Sequence, residues 1–165
     1  MSPLVRPIVR HSLLLSVLTV ALLGAAGCGD EIGDSCSISS DCSAQGDRIC
    51  DRNSPDGYCT ILGCDFDTCP EEAICVRFFP AAQTDISCEN DTDCTVDELC
   101  ALGGFCVPRS AEVRYCMKTC GGNGDCRNDY ECRDEGLMIA HGGEPVLDPS
   151  KNQSELPRFC APADF

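Results

Sequence analysis

The stretches CSISSDCSAQGDRICDRNSPDGYC (residues 36–59) and CENDTDCTVDELCALGGFC (residues 88–106) run through the same order of residue types. Each has a cysteine, five residues ending in Asp, a second cysteine, a polar turn, a third cysteine, and a Gly-aromatic-Cys close. The shared marks are Asp41 and Asp93, then Gly57-Tyr58 and Gly104-Phe105. An Asp just ahead of a bridge accepts backbone N–H groups in an Asx-turn. Glycine takes the positive φ of a tight turn, and an aromatic ring laid on a disulfide shields it from water. Two fainter copies follow, GCDFDTCPEEAIC (63–75) and TCGGNGDCRNDYEC (119–132), the second with its own Asp125-Cys126 step. Aromatic-cysteine endings recur at Tyr115-Cys116 and Phe159-Cys160. Internal repetition in four units is therefore the main organisational signal.

Ahead of the repeats, residues 1–27 contain no acidic residue. Arg6 and Arg10 precede the apolar run 13–23, and Gly24-Ala25-Ala26-Gly27 follow. A basic start, a short hydrophobic stretch and small residues at a cleavage point read as a secretory signal peptide. The run is too short for a membrane span, which needs about 20 apolar residues. Losing Arg6 and Arg10 takes the formal charge of the chain from −15 to −17. Such a negative surface disfavours nucleic acid and anionic headgroups, and suits basic partners. Leu, Ile, Val and Phe number only 24 among residues 28–165, which with that charge points towards disorder. Cysteine argues the other way, because exported domains with little apolar burial use disulfides instead.

The chain has 17 cysteines, an odd number. The segment Ala25-Ala26-Gly27-Cys28 resembles the lipobox of bacterial lipoproteins, with Ala25 in place of the usual Leu. That resemblance implies a diacylglycerol thioether on Cys28, cleavage before it, and acylation of the new amino group. The thiolate is the side chain nucleophilic enough for such a bond. Ala25 and Gly27 also satisfy ordinary signal-peptidase cleavage. Setting Cys28 aside leaves an even 16, whereas a leftover cysteine in an exported protein needs another explanation. Gly29 after the lipidated position resembles an outer-membrane address in the sorting rule of enteric lipoproteins.

The repeat spacing resembles the Myxococcales-type cysteine-rich repeat and the related Dickkopf N-terminal cysteine-rich module. Residues 36–59 and 88–106 match the pattern well, and 63–75 and 119–132 match it less closely; unit one has longer later gaps. The resemblance implies small extracellular disulfide modules, often on bacterial lipoproteins, with no shared catalytic activity. If each unit pairs first with third and second with fourth, unit one gives Cys36–Cys50 and Cys42–Cys59. Unit three gives Cys88–Cys100 and Cys94–Cys106, and unit four Cys120–Cys132 and Cys126–Cys160. The remainder, Cys64–Cys75 and Cys69–Cys116, makes a unit whose ending arrives only after unit three. Sequence alone does not choose this connectivity. Parity adds one constraint. A cut near Pro80 leaves seven cysteines before it and nine after, so complete pairing forces at least one bridge across the cut.

The expected fold is small and disulfide-rich, with little regular secondary structure beyond short hairpins and turns, built from tandem cysteine-rich modules. The expected organisation is a signal peptide (1–27), a lipidated tether (28–35), a first cysteine-rich half (36–79) and a second (88–165) with a long loop (133–159). TVDELC and GFCVP are candidates for a helical turn or a hairpin strand, and only the last loop has room for a helix. Two apolar patches are candidate partner contacts. Leu137-Met138-Ile139, beside His141, Gly142 and Gly143, reads as a strand packed on unit four or as a binding edge. Phe78-Phe79-Pro80 reads as buried rings in a small core.

Chemistry-bearing motifs are sparse. Asp65, Asp67, Asp91 and Asp93 offer carboxylates for weak Ca²⁺ binding, but no EF-hand loop is present and solvated turns are the favoured reading. No C-x-x-C pair exists for zinc or redox work. The only histidine after residue 27 is His141, and no hydrolase or phosphate-loop motif surrounds it. Sequons at Asn90-Asp91-Thr92 and Asn152-Gln153-Ser154 matter only in a eukaryotic secretory pathway. The expectation is a non-enzymatic lipoprotein of the bacterial cell envelope, at the outer membrane or cell surface. Its lipid holds it to the membrane while a stapled module meets an unknown protein or envelope partner; no cofactor beyond that lipid is implied. A freely secreted inhibitor or ligand and an extracellular cation-binding module are the alternatives.

Overall fold

The computed structural model describes residues 31–80, 85–151 and 155–163, so the signal peptide and Cys28 lie outside the described residues. Among the described residues nine short strands appear in chain order: β1 (Ile49–Asp51), β2 (Tyr58–Thr60), β3 (Ala73–Phe78), β4 (Glu98–Cys100), β5 (Cys106–Pro108), β6 (Val113–Lys118), β7 (Tyr130–Arg133), β8 (Glu144–Pro145) and β9 (Phe159–Pro162). Helix α1 is Ser39–Cys42 and α2 is Glu135–His141. No described helix is long and apolar enough to cross a membrane. The fold is a small disulfide-rich one made of short hairpins.

Eight disulfides join Cys36–Cys50, Cys42–Cys59, Cys64–Cys75, Cys69–Cys116, Cys88–Cys100, Cys94–Cys106, Cys120–Cys132 and Cys126–Cys160. This is the first-to-third, second-to-fourth arrangement in every unit. In all four, the third and fourth cysteines are direct cross-strand partners: Cys50 with Cys59, Cys75 with Cys116, Cys100 with Cys106, Cys132 with Cys160. Isolated two-stranded hairpins are marginal in water. Here each strand pair is clamped by two bridges back to the turn that precedes it.

That turn is built alike in units one, three and four. One carboxylate oxygen of Asp41 accepts from the Ser37 and Ile38 N–H groups at 2.8 and 3.1 Å. Asp93 does the same with Glu89 and Asn90, and Asp125 with Gly121 and Gly122. The aspartate reaches back three and four residues, as in a capping box, and not forward as in the Asx-turn expected from sequence. Three residues after the first cysteine, a second acceptor binds the third cysteine's N–H. It is Ser39 Oγ to Cys50 (3.2 Å), Asp91 Oδ1 to Cys100 (2.9 Å) and Asn123 Oδ1 to Cys132 (2.8 Å).

Unit three sits inside unit two, between Cys75 and Cys116. The longest strand pairing therefore joins β3 to β6, from Ala73↔Lys118 to Phe78↔Val113, and β8 adds to the other edge of β3. β3 is rich in β-branched and aromatic residues, which suit a pleated half-buried surface. Pro145 lies on the edge strand, where its missing N–H is tolerated. Of the eight bridges, Cys69–Cys116 is the one that crosses Pro80.

The core gathers Ile32, Tyr58, Val76, Met117, Tyr130, Met138 and Phe159 around this sheet. Ile32 is fully buried, Gly33 N–H donates to Cys59 O, and Cys59 N–H donates to Asp34 O. Of the tether expected over 28–35, residues 31–35 are thus docked on the body. Unit four is locked to unit one by Arg127. Its guanidinium lies 4.2 Å from the Tyr130 ring centroid and 5.6 Å from that of Tyr58, while Nη2 donates to Pro55 O, Gly57 O and the Tyr130 hydroxyl. Among the described residues Nε and Nη1 are buried without a hydrogen-bond partner, with the aromatic faces as their compensation.

Candidate functional site

The segment between Cys132 and Cys160 supplies the chemistry-bearing part of the surface. Leu137-Met138-Ile139 belongs to α2 and not to a strand, which corrects the sequence reading. Asp134 caps the helix by accepting from Leu137 N–H at 3.1 Å, and Gly142, at φ 81°, ends it. Such an N-cap and glycine stop outweigh a three-residue apolar run. The helix buries Met138, leaves Leu137 half-buried, and exposes Ile139 at 51%.

A buried arginine holds the helix end in place. Arg133 is 1% exposed, with Nε on Glu131 at 3.0 Å, Nη1 on the His141 and Gly142 carbonyls, and Nη2 on Pro162 O. Desolvation lowers its pKa, and the Glu131 bond works against that fall. The same Glu131 oxygen lies 2.7 Å from His141 Nδ1, so His141 is oriented by a carboxylate that already faces a guanidinium. Beyond the helix, Glu144 takes Arg77 Nε at 2.7 Å on one oxygen and Leu102 N–H at 2.8 Å on the other. It ties the tip of unit three to β3.

Two clefts flank the turn at Gly142-Gly143. The larger, about 550 Å³, runs between the tip of unit three and α2, with Phe79, Leu102, Phe105, Val107, Met138 and Ile139 along it. The smaller, about 270 Å³, lies on the other side. Phe78, Phe79, Val113, Tyr115 and Met117 form its apolar walls, and Asp51 at the end of β1 and Asn53 and Ser54 in the turn after it contribute polar groups. Gly143 (φ +85°) makes this packing possible, since a Cβ there would lie 2.6 Å from Phe78 Cε1 and 2.9 Å from Phe159 Cζ. Phe78 meets Tyr115 and Phe159 edge-on, each at 6.2 Å between centroids. Burial raises the Tyr115 phenol's pKa, and the negative charge of Asp51 adds to the rise.

Phe79, Met138 and Ile139 therefore share the larger cleft, and Phe78 and Phe79 share the smaller one. Leu137 lines neither. Phe78 and Phe79 are half-buried and not fully enclosed, because the sheet they leave is only three strands wide. Comparison with protein-family models, with curated proteins and with solved structures finds no match to this chain. The site is argued from its own chemistry. Asp51, Val113 and Tyr115 are among the lining residues that sequence reasoning missed. The aromatic-cysteine ending at Tyr115-Cys116 marks the repeat in the sequence, but a repeat mark carries no signal of a cleft.

The acidic candidates are engaged locally. Asp91 pairs with Arg109 at 3.2 Å in addition to the Cys100 N–H, Asp65 pairs with Arg114 at 3.4 Å, Asp93 closes its turn, and Asp67 is exposed. The close-packed cysteine triads, such as Cys36, Cys42 and Cys50, are made of sulfurs already bonded in disulfides.

Proposed function

We propose that the protein is a lipid-anchored module of the bacterial cell envelope that presents a disulfide-stapled binding surface, and that its four units belong with the cysteine-rich repeats they resemble. The disulfide density itself marks an extracytoplasmic, stapled module. The observation that supports the anchor is the complete pairing of the other sixteen cysteines, which leaves Cys28 outside the set. Two or three acyl chains on Cys28 give stable attachment where one gives only marginal binding. Ile32 is fixed in the core, so three residues lie between a lipidated Cys28 and the body, a reach of at most about 14 Å over four residue steps. Such a short leash sets the module close to the headgroups. It functions by display and has no catalytic role.

Intact mass of the protein from its native host, alkylated without reduction, tests this. The expected result is acyl mass on a chain starting at Cys28 with no alkyl adduct. An unlipidated chain with one alkyl group, or with a disulfide-linked partner, overturns the anchor and favours a secreted ligand.

A further inference from the structure

We infer that the smaller cleft recognises a basic peptide segment of a partner protein, taking one bulky apolar side chain between Phe78, Phe79 and Tyr115 and a neighbouring Lys or Arg against Asp51. The inference rests on the binding-module reading and names the chemistry of its partner. At about 270 Å³ the cleft is side-chain sized, below the roughly 300 Å³ at which drug-sized ligand sites begin. Its walls are aromatic and aliphatic, which suits a single anchoring side chain.

The charges around it are asymmetric. The two basic residues that line the cleft are already committed. Arg133 spends its donors on Glu131 and three carbonyls, and His141 Nδ1 faces Glu131. Asp51 is half-exposed and receives only neutral donors, the Asn53 N–H and side-chain amide and the Ser54 hydroxyl. Among the described residues it forms no ion pair. Its field reaches the cleft wall, since it adds to the upward shift of the Tyr115 phenol. The rim of an apolar slot thus carries one uncompensated carboxylate, on a chain whose formal charge is −15. Such a surface draws in cationic partners and repels anionic ones.

The test is an amide chemical-shift titration of the intact exported protein with three acetylated, amidated tetrapeptides. The first carries phenylalanine followed by two lysines, the second replaces the lysines by glutamates, and the third replaces phenylalanine by glycine. The first should bind about tenfold more tightly than either control, with shifts centred on Asp51, Val113 and Tyr115. Asp51→Asn keeps one oxygen for the two Asn53 donors, and its amide N–H can donate to the Ser54 hydroxyl that now donates to the second carboxylate oxygen, so the turn survives. It should reduce the preference for lysine over glutamate about threefold. Equal binding of all three peptides, shifts that map elsewhere, or an unchanged charge preference in Asp51→Asn overturns the proposal. The mass measurement separates the two readings: acyl mass without cleft binding removes only the cleft, and cleft binding by an unlipidated chain removes only the anchor.

Discussion

Units one and three obey the same rules and play opposite parts. Both have the first-to-third and second-to-fourth bridges, the back-reaching aspartate, and a glycine-aromatic pair before the last cysteine. In unit one the aromatic is Tyr58, 2% exposed, whose ring stacks on Tyr130 and whose hydroxyl accepts from Lys118 N–H and donates to Cys160 O. In unit three it is Phe105, 41% exposed on the wall of the larger cleft. Unit three buries Leu99 and Val107, neither of which belongs to the main core cluster. A module held by its own disulfides need not join the core. Its tie to the core is at its tip, where Leu102 packs against that cluster.

The largest expected effect is at the glycine before that aromatic. A Cβ on Gly57 would sit 2.0 Å from Cys36 O and 2.9 Å from the Cys36 and Cys50 sulfurs, in a backbone at φ +67°. At Gly104, with φ +77°, the nearest atom is 3.6 Å away. Gly57→Ala should cost about 4 kcal/mol, the exceptional end of single substitutions. Gly104→Ala should cost about 1 kcal/mol, the left-handed strain alone. Guanidinium unfolding with disulfides intact measures both, and equal costs would break the contrast.

Next come the bridges. Cys42–Cys59 and Cys94–Cys106 close 17- and 12-residue separations, so removing either as a double alanine variant should cost about 3 kcal/mol. The effects should differ in reach. Without Cys94–Cys106, amide exchange should speed up in β4 and β5 and leave β3 and β6 protected. Without Cys42–Cys59, protection should also fall across β6, because Tyr58 positions Lys118. Exchange that spreads to β3 from unit three would show that it is not self-contained.

What the sequence made legible is the part of the fold that repeats. The cysteine rhythm, the aspartates and the glycine-aromatic pairs are local, and they lead to the hairpins and to the nesting of unit three within unit two. What it hid depends on distant partners. Tyr58 finds Cys160 across 102 residues, and Arg127 finds Pro55 across 72. Nothing near Arg133 announces an arginine that will be buried under four acceptors. The docking of Ile32 and the two clefts are hidden for the same reason. Helix α2 was different, since Asp134 and Gly142-Gly143 were present as cap and stop but a short apolar run took precedence over them.

A smaller contrast lies in the aromatic side chains. Tyr58→Phe keeps the stack but leaves the Lys118 N–H without its acceptor, at about 2 kcal/mol. Phe105→Leu should stay within about 0.5 kcal/mol, as an exposed substitution does. Thermal unfolding of the two variants side by side measures this. A larger loss for Phe105→Leu would place unit three in the core after all.

The smallest effect tests the turn that the units share. The acceptor for the third cysteine's N–H is titratable only in unit three, where Asp91 serves; Ser39 and Asn123 stay neutral in units one and four. Asp91's carboxyl lies below its ordinary 3.8, chiefly because the Cys100 N–H bonds the charged form, and Arg109 adds to this. A carboxyl whose folded pKa is depressed contributes its full stabilisation above the unfolded value and loses it as pH falls through the folded one. Acidification from pH 5 should therefore leave Cys100 exchange protection unchanged until below pH 3.8, then erode it. The Cys50 and Cys132 amides should keep their acceptors throughout. Asp91→Asn should make Cys100 behave like Cys132, because the amide oxygen accepts at any pH. Parallel loss at Cys50 and Cys100 in the parent chain would mean that acid opens the units by a common route and that the choice of acceptor is incidental.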